Sequence, residues 1–386
     1  MPGLLPHVDP DGLLEYSVVY TDRALNHMSA RFQGVMHDIS AMLKEAYHAR
    51  SAIVVPGSGS FGMEAVARQF ATGKKTLVIR NGWFSYRWTQ ILEMGAISTE
   101  STVLKARRVA VSSENPHQSA FAPAPIAEVV AAILAQRPAV VFAPHVETAA
   151  GLILPDDYLK AMADATHAVG GLLVLDCIAS GAIWVDMVAI GVDVLVSAPQ
   201  KGWTGSPGCA FVMLGEAARQ RIAATTSTSF ACDLKKWLQI MEAYEAGGHA
   251  YHTTLPTDAL ARTRDVMRET QARGWQALRL QQQALGDAVR ALLARKGFKS
   301  VAAPGFEAPG VVVSYTDDTG LSSSKTLLGL GLQTAAGVPL QCDEPADFKT
   351  FRIGLFGLDK LAHIERTVAH LERALDQVAQ ARLARV

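Results

Sequence analysis

Short apolar runs alternate with stretches of helical periodicity through the first two thirds of the chain. Several of these runs are apolar at every position, which is typical of strands whose two sheet faces are both covered by helices. The alternation predicts a large, mostly parallel, doubly wound α/β domain. The predicted strands are 52–55, 76–79, 139–142, 172–175, 192–196 and Cys209–Leu214, and the predicted helices between them include 62–70, Ile126–Gln136 and 157–169.

The last third of the chain has a different pattern. Residues 256–296 are rich in Ala, Leu, Arg and Gln and predict long helical material that ends at Gly297. Beyond this glycine the pattern predicts strands at Val311–Tyr315 and 350–355, a helix at 321–330 and a final helix from 361 to the end. We therefore expect a large domain over residues 25–275 and a smaller α+β domain over 276–386.

Composition narrows the class of protein. The 36 Lys and Arg residues equal the 36 Asp and Glu residues, so the charge gives no general attraction to nucleic acid or to an anionic membrane. The beginning of the chain lacks the pattern of a signal peptide, and no apolar run is as long as a membrane span. Four widely spaced cysteines are typical of reduced thiols, so we expect a cytoplasmic protein. No zinc site is expected, because four histidines lack ligand spacing with Cys or carboxylates: His145, His167, His249 and His252.

One lysine directly follows an apolar strand. Lys201 ends the segment Ser197-Ala198-Pro199-Gln200-Lys201, and its neighbours are small or aromatic instead of charged. Removal of the amine from water would lower its pKa and leave it nucleophilic toward an aldehyde. The alternative interpretation is a solvated surface lysine.

Two further motifs favour chemistry at Lys201. The loop Gly57-Ser58-Gly59-Ser60 links a strand to a helix, so it offers hydroxyls, backbone N–H groups and a helix dipole to an anion. It matches neither the P-loop nor the dinucleotide fingerprint, and the alternative is a tight turn with a serine N-cap. Asp176 ends the run 172–175 at the strand end where open parallel sheets bind ligands; the alternative is a helix cap. The loop 57–60, which we call the anion cradle, the strand-end acid Asp176 and the lysine Lys201 follow one another in this order, and together they fit pyridoxal phosphate.

At this point the chain resembles a known family. It is similar to class V aminotransferases of the fold type I pyridoxal-phosphate enzymes, and most similar to the alanine–glyoxylate and serine–pyruvate aminotransferase group. The matching motifs occur in one order along most of the chain: Asn26-His27, Pro56-Gly57-Ser58-Gly59-Ser60, Asn81-Gly82-Trp83-Phe84, His145-Val146-Glu147-Thr148-Ala149-Ala150-Gly151, Asp176-Cys177-Ile178-Ala179-Ser180, Gln200-Lys201, Tyr251-His252-Thr253-Thr254 and Phe351-Arg352-Ile353-Gly354.

The resemblance implies a role for each residue of the cofactor site. Lys201 would form the Schiff base and then move the proton, and Asp176 would pair with the pyridine nitrogen. Four residues would bind the phosphate: Ser58, Gly59, Ser60 and Gln200. Phe84 would stack on the ring, with Trp83 as the alternative; Ile178 would pack on the other face, and Thr148 would contact the ring oxygen.

The resemblance also implies a partner and a substrate clamp. Tyr251 and Thr254 would reach the cofactor phosphate of a neighbouring chain, which makes the functional unit a homodimer with shared active sites. Arg352 interrupts an apolar strand and would bind the substrate carboxylate with its planar fork. The alternative for Arg352 is a salt bridge to an internal acid.

The chain departs from the family pattern at its N-terminal segment. Relatives have a Gly-Pro-rich segment that lines the substrate pocket. Residues 1–24 take its place in this chain, and Glu15, Tyr16, Tyr20 or Arg23 could reach the substrate and change what is accepted. The expected function is transfer of the amino group of alanine or serine to glyoxylate or pyruvate. The alternatives are an aminophosphonate or ureido-amino acid donor, a lyase or decarboxylase on the same scaffold, and a binding protein with a vestigial site.

Overall fold

The computed structural model describes residues 14–109 and 118–383, with side chains to residue 381. The strands are β1 (Ser51–Pro56), β2 (Lys75–Arg80), β3 (Glu100–Lys105), β4 (Arg107–Arg108), β5 (Phe121–Ala122), β6 (Val140–Pro144), β7 (Val146–Glu147), β8 (Leu152–Ile153), β9 (Leu172–Asp176), β10 (Val194–Ser197), β11 (Cys209–Leu214), β12 (Val311–Tyr315), β13 (Ala335–Ala336) and β14 (Thr350–Gly354). Of the predicted N-terminal segment 1–24, residues 1–13 lie outside the described residues.

The helices follow the expected alternation with the strands. They are α1 (Ala30–Tyr47), α2 (Gly59–Phe70), α3 (Trp83–Met94), α4 (Ile126–Gln136), α5 (Asp156–Ala168), α6 (Met187–Ile190), α7 (Glu216–Arg221), α8 (Leu234–Glu245), α9 (Thr257–Arg273), α10 (Trp275–Arg295), α11 (Thr319–Ser322), α12 (Lys325–Gly329), α13 (Leu358–Ala362) and α14 (Ile364–Leu383). Within the described ranges, none of them combines the length and the apolar character needed to cross a bilayer.

A seven-stranded sheet organises the large α/β part of the chain, in the order β1-β11-β10-β9-β6-β2-β3. Strands β10, β9, β6, β2 and β3 pair in parallel, and β11 runs antiparallel to both β10 and β1. Every residue of β6, β9, β10 and β11 is buried, as the uniformly apolar runs predict. The mostly parallel α/β fold is therefore confirmed, and the carboxyl ends of β1, β2, β6, β9 and β10 meet at one edge.

A three-stranded antiparallel sheet, β12-β14-β13, follows in the last third of the chain. Its central strand β14 carries Arg352, which pairs in register with Val313 on one side and Ala335 on the other. This arrangement agrees with the expected α+β character of the last third. The boundary at residue 275 stays a prediction.

Two predicted helices are divided in the structure. The stretch 256–296 forms α9 and α10, which Gly274 separates with a φ of +84°. The stretch 321–330 forms parts of α11 and α12, because Ser324 adopts a left-handed conformation with a φ of +64° and ends the first helix.

Candidate active site

A cavity of about 300 Å³ opens at the carboxyl edge of the large sheet. It brings together residues that follow β1, β6, β9 and β10 with residues of α3. Its lining consists of Ser58, Gly59, Ser60, Met63, Phe84, Arg87, Val146, Thr148, Asp176, Ile178, Ala179, Gln200 and Lys201. A larger cavity, of about 480 Å³, lies between α10, β14 and α14 and contains none of the predicted site residues. We place the candidate site in the first cavity because its lining has the chemistry that the motifs predict.

Asp176 is a buried carboxyl at the floor of this cavity. It is the last residue of β9, it is 8% exposed, and its Oδ1 accepts the N–H of Ile178 at 2.9 Å. Within the described part of the chain it forms no ion pair. Burial raises its pKa to about 7, the charge of Glu147 adds to this rise, and the Ile178 N–H and Arg87 oppose it. A cation beside Asp176 would favour its charged form.

Lys201 is the amine of the same cavity, in the loop that follows β10. Burial lowers its pKa, and the positive charges of Arg352 and Arg87 lower it further. Its Nζ lies 5.6 Å from the centre of the Phe356 ring, and among the described residues it forms no ion pair. A lowered pKa increases the fraction of the amine in its neutral form, which is the form that acts as nucleophile and proton acceptor.

The backbone beside Lys201 is held against the loop that follows Asp176. A Cβ on Gly202 would lie 2.1 Å from the carbonyl oxygen of Gly181, so only glycine fits there. The position of Lys201 relative to Asp176 is therefore fixed by a contact between two main chains.

The start of α2 supplies neutral donors to the cavity. Ser58 is the N-cap residue, and its hydroxyl makes no capping hydrogen bond. The N–H groups of Phe61 and Gly62 donate to the carbonyl of Ser58, whereas those of Gly59 and Ser60 have no carbonyl one turn earlier to donate to and can bind a ligand beyond the helix. The side chain of Gln200 lines the same cavity. These donors together can bind an anion such as a phosphate.

The aromatic that lines the cavity is Phe84. Its neighbour Trp83 packs on Tyr86 instead, with ring centres 6.0 Å apart, and is absent from the lining. The guanidinium carbon of Arg87, one turn further along α3, lies 4.8 Å from the centre of the Phe84 ring. Of the two aromatics that the sequence offered, the structure brings Phe84 to the cavity.

A buried carboxylate connects Phe84 to the loop that carries Thr148. Glu147 is 1% exposed and accepts hydrogen bonds from the N–H groups of Phe84 at 3.3 Å, Ser85 at 2.8 Å and Ala149 at 2.9 Å. It also accepts the hydroxyl of Ser85 at 2.7 Å. These bonds hold the start of α3 against the segment after β7, so Phe84 and Thr148 are positioned relative to each other.

Arg352 lies beside the cavity without lining it. Its guanidinium carbon is 5.5 Å from the centre of the Phe84 ring, and its Nε donates to the carbonyl of Ala336 at 2.7 Å. Burial lowers its pKa, and the nearby Glu147 opposes the shift. Across the described ranges it forms no ion pair with a carboxylate, so the internal salt bridge that the sequence left open is not present. The end of its guanidinium is available to an anionic ligand.

Tyr251 and Thr254 lie outside this chain's cavity. The Tyr251 hydroxyl is 3.3 Å from the Thr254 hydroxyl, and the Tyr251 side chain is 54% exposed. This position is compatible with contact to a second chain. Their role at a neighbouring cofactor stays a prediction.

Two of the N-terminal residues that the sequence singled out, Glu15 and Tyr20, contact the Asn26-His27 segment of the same chain. Glu15 accepts a hydrogen bond from the Asn26 side chain at 2.7 Å, and the ring of Tyr20 packs on His27 with centres 5.5 Å apart. The lining of the cavity in this chain includes none of Glu15, Tyr16, Tyr20 and Arg23. A role for residues 1–24 at the active site stays a prediction.

Sequence reasoning missed three side chains that shape the site. Arg87 and Glu147 were not singled out, and neither was Phe356, whose ring faces Lys201. A signal existed for two of them. Arg87 lies three positions after Phe84, hence on the same helix face, and Glu147 directly precedes Thr148.

Pyridoxal phosphate fits the residues that line the cavity. The aldehyde would meet Lys201, the phosphate would meet the hydroxyls and N–H groups of 58–60, and the pyridine nitrogen would meet Asp176. The last pairing would give the buried, unpaired carboxyl a partner, because a protonated ring nitrogen would supply the cation that Asp176 lacks.

Comparison with known proteins identifies the family. A family model described as Aminotransferase class-V matches residues 13–312. The soluble hydrogenase small subunit of Synechococcus sp. is 24% identical over 360 residues, which cover 92% of this chain and 88% of that protein. The 2-aminoethylphosphonate–pyruvate transaminase of Burkholderia ambifaria is 27% identical over 333 residues, 84% of this chain and 82% of that protein. The structure of alanine–glyoxylate aminotransferase from Nostoc sp. superposes with a TM-score of 0.74 at 21% identity, covering 90% of this chain and 88% of the other. The chain therefore belongs to the class V aminotransferases, pyridoxal-phosphate-dependent enzymes of fold type I.

Proposed function

We propose that the protein transfers the amino group of a small L-amino acid, alanine or serine, to glyoxylate or pyruvate. The observation that carries this proposal is the guanidinium of Arg352, which lies beside the amine cavity and forms no ion pair within the described residues. One planar cation suits one substrate carboxylate.

Three residues of the chain would each have a separate role in the reaction: Lys201, Asp176 and Arg352. When bound, pyridoxal phosphate supplies the electron sink for the bond that breaks at the substrate Cα. Lys201 would hold the cofactor covalently in the resting enzyme, and once freed it would act as the base that moves a proton from the substrate Cα. Asp176 would keep the ring nitrogen protonated. Arg352 would hold the substrate carboxylate so that the Cα proton faces Lys201.

The remaining residues would bind and orient the cofactor. Ser58, Gly59, Ser60 and Gln200 would donate hydrogen bonds to its phosphate, at the positive end of α2. Phe84 and Ile178 would enclose the ring, and Thr148 would donate to the ring oxygen.

A homodimer is part of this proposal. Tyr251 and Thr254 would donate to the phosphate in the neighbouring chain, and the exposure of Tyr251 supports this assignment. Each active site would then need residues from two chains.

A second donor class is an aminophosphonate. Its support is the 27% identity to a 2-aminoethylphosphonate–pyruvate transaminase over most of the chain. A phosphonate carries more negative charge than a carboxylate, and Arg352 and Arg87 both lie near Lys201. Activity with a ureido-amino acid, or as a lyase or decarboxylase, has no comparable support from the site.

The test is a donor screen combined with replacement of Lys201. Alanine, serine and 2-aminoethylphosphonate are each offered with glyoxylate and with pyruvate. We expect turnover with alanine or serine that requires the oxo acid. Release of ammonia or carbon dioxide without an oxo acid would assign a lyase or decarboxylase instead. Turnover with the aminophosphonate alone would select the second donor class.

The Lys201→Ala variant should lose both turnover and borohydride-stable attachment of the cofactor. The Lys299→Ala variant, which removes an exposed lysine, is the matched control and should keep both. Retention of covalent attachment in Lys201→Ala would disprove the assignment of the amine.

A further inference from the structure

Three charged side chains line the cavity: Arg87, Asp176 and Lys201. The proposed reaction gives Asp176 to the ring nitrogen and Lys201 to the aldehyde, which leaves Arg87 without a role. Within the part of the chain that the structure describes, Arg87 forms no ion pair with a carboxylate. A partly buried guanidinium that faces a cavity requires an anion or polar acceptors to offset its loss of water.

The contacts of Arg87 place it at the phosphate end of the cavity. Its Nη1 donates to the hydroxyl of Ser60 at 3.2 Å, and Ser60 lies in the first turn of α2. Its guanidinium carbon is 4.8 Å from the centre of the Phe84 ring. The same side chain therefore touches the anion cradle and the aromatic expected to stack on the cofactor ring.

The other donors of this chain at the cradle are neutral. They are hydroxyls, the Gln200 amide and the N–H groups of α2. A helix N-terminus is equivalent to about half a positive charge, whereas a phosphate monoester carries close to two negative charges at neutral pH. A guanidinium adds a full charge and can donate two parallel hydrogen bonds to phosphate oxygens.

We propose that Arg87 binds the phosphate of pyridoxal phosphate as the cationic member of this cradle. The proposal rests on the cofactor site described above. It makes Arg87 a determinant of how this chain distinguishes the phosphorylated cofactor from free pyridoxal. An aminophosphonate donor at Arg87 would be the competing anion, and the test below separates the two.

The test compares two ligands that differ only in the phosphate. Dissociation constants for pyridoxal phosphate and for pyridoxal are measured on the cofactor-free protein by absorbance or fluorescence titration. The proteins are the wild type, Arg87→Gln, Arg87→Lys and the control Arg373→Gln, which removes an exposed arginine of α14. Thermal unfolding of each cofactor-free protein verifies that it is folded.

We expect Arg87→Gln to bind pyridoxal phosphate roughly 10- to 100-fold more weakly, the range for loss of a charge-assisted hydrogen bond, with little change for pyridoxal. Arg87→Lys should recover part of the affinity because it retains a point charge. Competition by inorganic phosphate against pyridoxal phosphate should also weaken in Arg87→Gln.

Three results would overturn the proposal. Equal losses for both ligands would show that Arg87 acts by packing on Phe84. Unchanged binding of both ligands would show that Arg87 does not contact the phosphate. Unchanged cofactor binding with a raised KM for an aminophosphonate would assign Arg87 to the substrate. Failure of the wild type to bind pyridoxal phosphate at all would instead overturn the proposed function.

Discussion

The Asp176→Asn substitution should stabilise the cofactor-free protein and weaken its binding of pyridoxal phosphate. Burial raises the pKa of Asp176 from an ordinary value of 3.8 to about 7. Because the pKa in the folded state is the higher one, the carboxyl favours folding fully only below about pH 3.8. Its contribution then falls as the pH rises to about 7 and stays constant above that value.

The magnitude follows from the size of this shift. A rise of about 3 pKa units corresponds to about 4 kcal/mol, at 1.36 kcal/mol for each unit. Asp176 is 8% exposed, so solvent screens this cost little. An asparagine keeps an oxygen for the Ile178 N–H and has no charge to bury. An unfolding entropy of about 2.1 cal/mol/K for each residue gives about 0.8 kcal/mol/K for the chain, hence a rise in Tm of about 5 °C.

The assay is thermal unfolding of the cofactor-free wild type, Asp176→Asn and the exposed control Asp317→Asn, from about pH 5 to about pH 9. The advantage of Asp176→Asn over the wild type should grow up to about pH 7 and then level off. With saturating cofactor the order should reverse, because the ring cation then pairs with the Asp176 carboxylate. An advantage independent of pH would refute the buried, neutral carboxyl. Equal cofactor affinity in both proteins would refute the pairing with the ring nitrogen.

Two other substitutions test the substrate clamp and the support of the site. Arg352→Lys should raise the KM for the amino donor roughly 10- to 100-fold, since the planar fork is lost, while the Kd of pyridoxal phosphate changes little; equal losses in both constants would contradict a carboxylate clamp. Glu147→Gln should lower the free energy of unfolding by about 2–4 kcal/mol in urea denaturation, because the amide nitrogen faces N–H donors. A neutral outcome for Glu147→Gln would show that the α3 start is held by other contacts.

The strands of the large sheet could be predicted because their environment is nearly uniform. Strands such as β9 and β10 are buried along their whole length, so every position before the last, Asp176 in β9 and Ser197 in β10, is apolar and the run is visible in the sequence. The edge strand β3 was missed. It begins with Glu100 and ends with Lys105, and its residues are exposed or half-buried because only β2 pairs with it.

The residues of the candidate site also fall into a group that the sequence predicts and a group that it does not. Asp176 ends a strand, and Lys201 and Ser58–Ser60 follow strands within a few residues, so a local pattern and the rule for parallel sheets bring them together. Glu147 and Arg87 depend on contacts between distant parts of the chain. Glu147 bonds to Phe84 across 63 positions, and Arg87 bonds to Ser60 across 27. Local spacing puts Arg87 on the helix face of Phe84 and Glu147 beside Thr148, but it does not encode the bonds of Glu147 to Phe84 and of Arg87 to Ser60.

The main-chain contact between Gly202 and Gly181 makes the spacing of Lys201 and Asp176 independent of most side-chain substitutions. The span between the amine and the acid is set by atoms that every residue possesses, so substitutions among the lining side chains leave that span intact. Arg352 comes from a different sheet and can shift or be replaced without disturbing it. On the proposed roles, changes in the C-terminal sheet would admit new amino donors, whereas replacing either glycine would move Lys201 relative to Asp176 and so affect every donor at once.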